Sequence, residues 1–131
     1  MNEETPYSKE VDEFISEQID TVPHLEALLL LWNSRPKQWT VEEMASALYV
    51  SSSTARNILQ GLARRGLPVA GLGTPENYRY ESISRKQDSL IETVDAAYRR
   101  NLVRISRMIH SKAAPGIRDF AQAFRFTKDR E

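Results

Sequence analysis

The sequence predicts a mainly α fold with one small β-hairpin, and three observations lead there. Apolar residues recur at spacings of three and four over most of the chain. Hydroxyl caps and glycine or proline breaks cut these runs at short intervals. Only one stretch, 67–83, alternates in the manner of strands. The 131 residues amount to one domain with a short arm or tail, and a composition of 40% hydrophobic and 27% charged residues suits a folded chain.

The elements follow in order. Residues 1–9 read as a mobile end. Val11, Phe14, Ile15 and Ile19 then mark a short amphipathic helix. Thr21-Val22-Pro23 reads as a hydroxyl cap followed by a proline in the first turn, where its missing N–H costs nothing. Leu25, Leu28, Leu29 and Trp32 form that helix's apolar face, and Asn33-Ser34-Arg35-Pro36 ends it. Thr40 and Glu43 make a capping box, after which Val41, Met44, Ala45 and Leu48 repeat at helical spacing. Trp39, just ahead of that cap, is expected in the core with Trp32. Tyr49-Val50-Ser51 interrupts the pattern. From Ser52 to Arg65 it resumes, with Ala55, Ile58, Leu59, Leu62 and Ala63 inward, and Gly66 closes the helix.

Residues 67–83 predict a β-hairpin, with Pro68 placing its first strand at an edge and Gly73-Thr74-Pro75-Glu76 as the turn. Tyr78 and Tyr80 are expected to pack on the neighbouring helix. Ser84 and Gln87 suggest a second capping box. A continuous helix is expected from there to about Lys112, roughly 26 residues or ~39 Å. Ile91, Val94, Tyr98, Leu102, Ile105 and Ile109 form its apolar seam. Ala114-Pro115-Gly116 breaks the chain. Ile117, Phe120, Ala121 and Phe124 predict a short amphipathic tail helix.

The formal net charge is zero, from 18 basic and 18 acidic residues, but the charges separate along the chain. Residues 1–30 carry eight acids and one lysine, whereas residues 52–86 are net +4 and residues 98–131 net +6. There is no cysteine, so disulfides, thiolate metal sites and thiol nucleophiles are excluded. The longest apolar run, Leu28 to Trp32, is far too short for a bilayer, which needs about 20 residues. The acidic start lacks the basic and apolar pattern of a secretory signal. A cytoplasmic protein without membrane contact is the expectation.

A short helix, a three-residue turn and a polar-faced second helix form a helix-turn-helix, carried by Met44, Ala45, Leu48, Val50, Ala55 and Ile58. With the hairpin after it, the stretch 22–86 resembles the winged helix-turn-helix domain of bacterial transcriptional regulators. The flanking helices resemble the organisation of the MarR and PadR families. Two positions depart from the pattern: Tyr49 stands where many such turns carry glycine, and the hairpin tip lacks the Asp-x-Arg of MarR wings.

The resemblance implies that Ser52–Arg65 enters the major groove and that the hairpin touches the backbone or minor groove. Arg56 can fork onto guanine, and Asn57 or Gln60 onto adenine. Ser52, Ser53 and Thr54, at the helix start, can hold a phosphate while one of the serine cluster caps the helix. Arg64, Arg65 and Arg79 would supply phosphate charge. The long helix can cover its own domain or pair with another chain; two-fold operators match two-fold proteins, so a homodimer is expected, paired through Ile91, Val94, Tyr98, Leu102, Ile105 and Ile109 with Phe120 and Phe124.

Neither His24 nor His110 has a second ligand at zinc spacing, and Gly71-x-Gly73 is too sparse for a phosphate loop. No catalytic constellation, metal site or cofactor is expected, and hence no enzyme. The chain thus divides into an acidic arm and helix (1–21), a winged helix-turn-helix domain (22–86), and a long helix with a tail for dimerisation or docking (87–131). The leading expectation is a regulator that reads duplex DNA. The alternative is a protein-interaction module whose long helix and tail bind another regulator or the transcription machinery.

Overall fold

The structure is a computed structural model and describes residues 6–73 and 76–111. Helix α1 (Pro6–Gln18) begins within the stretch expected to be a loose end, and it buries Val11, Phe14 and Ile15 along one side. Helix α2 (Val22–Asn33) opens on Thr21, whose hydroxyl accepts from the His24 amide, with Pro23 in the first turn. Leu25, Ala27, Leu28, Leu29, Leu31 and Trp32 are all buried, which makes α2 the central helix.

After α2 the chain forms strand β1 (Trp39–Thr40) and helix α3 (Val41–Leu48). Both halves of the expected capping box are present: Thr40 Oγ1 accepts from the Glu43 amide and Glu43 Oε1 from the Thr40 amide, each at 3.0 Å. Tyr49 ends α3 in the left-handed region, with φ 59°, and its side chain is 94% exposed. The Val50 amide then closes the turn on Ala45 O at 3.0 Å. Small side chains suit this crossing: Ala45 and Ala55 are both buried between α3 and helix α4 (Ser52–Arg64). Gly66 follows with φ 78°, the conformation glycine adopts without strain.

Strands β2 (Val69–Leu72) and β3 (Asn77–Tyr80) form the hairpin, and β1 adds to β3. The sheet is therefore three-stranded, in the order β1-β3-β2, where the sequence predicted two strands. Its register sets Trp39 and Gly71 opposite Tyr78, and Val69 opposite Tyr80. A two-residue strand has no period to detect. β1 is visible only through its pairing. Tyr78 and Tyr80 point inward, 4% and 7% exposed, and Tyr80 meets Trp32 edge-to-face at 5.1 Å. Trp39 is only half-buried; its indole N–H donates to Ser34 Oγ at 2.8 Å, joining the end of α2 to the sheet.

Helix α5 (Arg85–Arg100) starts on Ser84, whose hydroxyl accepts from the Gln87 amide at 3.0 Å. Only this half of the expected box forms, since Gln87 Oε1 has no hydrogen-bond partner among the described residues. The expected continuous helix is corrected at Asn101. That residue donates to Ala97 O, leaves the helix at φ −131° and ψ 52°, and accepts the Ile105 amide as the cap of a new helix, α6, over 102–111.

The packing around the break shows how the seam sits within one chain. Ile91, Val94, Ile105 and Ile109 are fully buried in this chain's own core, and Tyr98 is nearly so. Their area is removed from water within this chain, as expected of a long helix that covers its own domain. Leu102, at the start of α6, alone of the seam stands outward at 51% exposure, beside Val103 at 61%. Phe120 and Phe124 lie outside the described residues.

Candidate functional site

The outer side of α4 and the hairpin beside it carry the predicted binding residues. Ser51 is the helix cap: its Oγ accepts from the Thr54 amide at 3.1 Å, and its hydroxyl donates to Thr54 Oγ1. That leaves Ser52 and Ser53 exposed at the end of a 13-residue helix, where first-turn N–H groups have no intrahelical acceptor. Asn57 and Arg64 are exposed farther along, and Arg64 forms no ion pair among the described residues.

The other cations of the site have carboxylate partners. Arg56 Nε donates to Glu76 Oε1 at 3.1 Å, linking α4 to the hairpin tip. Glu76 Oε2 accepts the Tyr78 hydroxyl, and Gln60 stands one turn beyond Arg56 on α4. Arg79 holds Glu81 on its own strand end at 2.9 Å. Arg65 bonds Asp20 at 2.7 Å and the Glu17 carbonyl at 2.9 Å, so it ties the end of α4 to the α1–α2 junction.

These contacts set the local proton equilibria. The Tyr78 hydroxyl and then Arg56 hold the Glu76 carboxyl below the usual carboxylate range. Burial and the adjacent Glu76 push the Tyr78 phenol up to about 12. At neutral pH the carboxylate is ionised and the phenol a donor. The surface thus offers hydroxyls, a carboxamide, an unpaired guanidinium and a helix N-terminus. No nucleophile–base pair lies among them. Among the described residues no three His, Asp or Glu side chains converge as a metal would require.

Sequence reasoning located α4 and its outward side chains but missed Glu76, which it read only as a turn residue. Its partners lie 20 and two positions away, and no local pattern signals the first. His24, expected to face solvent or cap, has its Nδ1 2.7 Å from the Thr21 cap hydroxyl.

An α3-turn-α4 unit followed by a hairpin wing, set between flanking helices, is a winged helix-turn-helix, and the arrangement is of the MarR-like kind. The structure of a MarR family protein from Bacillus stearothermophilus is similar to this chain with a TM-score of 0.51, over 95% of this chain and 84% of that one, at 22% sequence identity. No protein-family model matches the sequence, and no curated protein matches it. Among the described residues no helix is long and apolar enough to cross a membrane.

Proposed function

We propose that this chain is a non-enzymatic, DNA-binding transcriptional regulator that acts as a homodimer in the cytoplasm. The observation that carries the reading is the outer face of α4: a polar, uncovered surface with an open helix N-terminus, flanked by the wing. Ser52, Ser53 and Thr54 hold a phosphate at the helix start. Arg56 and Asn57 address base edges, with Gln60 beside them. Arg64 and Arg79 contact phosphates. The dimer pairs through the outward start of α6 at Leu102 and Val103, together with the chain beyond residue 111.

The test is fluorescence anisotropy of a labelled random-sequence duplex at about 50 and 200 mM salt. A DNA reader binds it weakly and loses affinity steeply as salt rises. Arg64→Ala then weakens binding to all sequences alike and lowers the slope by about 1. If a folded dimer binds no duplex even at the lower salt, the winged helix serves protein contact instead.

A further inference from the structure

The two oxygens of Glu76 have different tasks. Oε2 accepts from Tyr78, whose ring is buried and lies across Gly71; a Cβ at position 71 would come within 2.8 Å of that ring. The hydroxyl is therefore fixed by the sheet, and it fixes the carboxylate. Oε1 then accepts Nε of Arg56, whose side chain is 43% exposed. Nε is the donor that an arginine does not need for guanine. The terminal nitrogens, which form the fork onto O6 and N7, make no bond among the described residues.

A carboxylate in this position does two things. It restricts the rotamers of a long side chain before any DNA arrives, which removes part of the ordering cost. It also cancels the guanidinium charge at long range, so that a distant phosphate meets a dipole in place of a cation. We infer that Glu76 is a specificity-determining residue of the DNA face, which orients Arg56 toward a guanine edge and subtracts its charge from sequence-independent binding. This rests on the DNA-binding reading above.

The experiment begins by enriching one duplex from a randomised library with the full wild-type chain. Affinities for that duplex and for a random-sequence duplex are then measured across salt for wild type, Glu76→Gln, Tyr78→Phe and Arg56→Lys. With Glu76→Gln the random duplex binds several-fold tighter, the log–log salt slope steepens by about 0.9, and discrimination between the two duplexes falls about tenfold. Tyr78→Phe keeps every charge but releases the carboxylate, so discrimination falls while the slope stays. Arg56→Lys loses the fork and also lowers discrimination. If Glu76→Gln moves both duplexes by one factor, or neither, the assignment to Glu76 is overturned while DNA binding stands. If wild type enriches and binds nothing, the DNA-binding reading itself is overturned.

Discussion

Asp20 and Arg65, 45 positions apart in the chain, are joined at 2.7 Å between Oδ1 and Nη2. Asp12 and Arg104 repeat the relationship across 92 positions, at 3.2 Å. The acidic first thirty residues thus answer basic residues of the centre and the C-terminal part within the same chain. The zero net charge is a sum over segments whose opposite charges partly pair within the fold, and it says little about the outer face of α4.

Arg65→Ala is therefore expected to act on stability more than on DNA. The half-exposed ion pair contributes up to about 1 kcal/mol, and the bond to the Glu17 carbonyl about 1 more. Urea unfolding should show a loss of about 1–2 kcal/mol, with the salt slope of duplex binding unchanged. An undiminished urea midpoint would return Arg65 to the group of phosphate contacts.

Tyr49 holds a left-handed backbone conformation that costs a non-glycine residue about 1 kcal/mol, and its side chain buries almost nothing. Tyr49→Gly should raise stability by about 0.5–1 kcal/mol, read as a higher thermal midpoint. A lower midpoint would mean that the exposed ring makes a contact in the assembled protein.

Tyr80 combines packing with a polar tether. Its ring meets Trp32, and its hydroxyl donates to Asp88 Oδ1 at 2.7 Å across to α5. Tyr80→Phe should cost about 1–2 kcal/mol, and Tyr80→Ala about 3–5 kcal/mol, since the second also opens a cavity beside Trp32. Equal losses for both variants would show that the ring contributes little.

Stability should fall at both ends of the pH scale. Burial and nearby carboxylates raise the phenols of Tyr78 and Tyr98 to about 12, and that of Tyr80 further. A raised value in the fold means that the unfolded chain loses its proton first. The contribution is whole below the ordinary value of 10.0 and disappears as pH climbs through 12. On the acid side, Asp88 is lowered by the hydroxyls of Ser82 and Tyr80, and Glu43 by the Thr40 amide. Their contribution is present above the ordinary values of 3.8 and 4.5 and is lost as pH drops beneath them. Thermal midpoints between pH 2 and 12 should form a plateau that declines at both ends. In Tyr80→Phe the alkaline decline should be weaker.

Much of the fold was legible because its signals are short-range. Thr21, Thr40 and Ser84 are caps to residues three positions on, and Gly66 stands where the chain turns left-handed. Val41, Met44 and Ala45 show their buried face through spacing alone. Two elements hid for opposite reasons. β1 is too short to carry a pattern, and the spacing of the α5–α6 seam continues through Asn101 as though the helix did.

The sequence by itself determined where the helices start, which faces are apolar, and that a polar-faced helix follows a tight turn and precedes a hairpin. All of these depend on residues within a turn or two of one another. Only the tertiary structure decided that the seam of α5 and α6 faces inward, that Arg65 belongs to Asp20, and that Arg56 meets Glu76. Those choices depend on how the elements pack, because a side chain's partner is whatever the folded chain brings within about 3 Å of it, from any distance along the sequence.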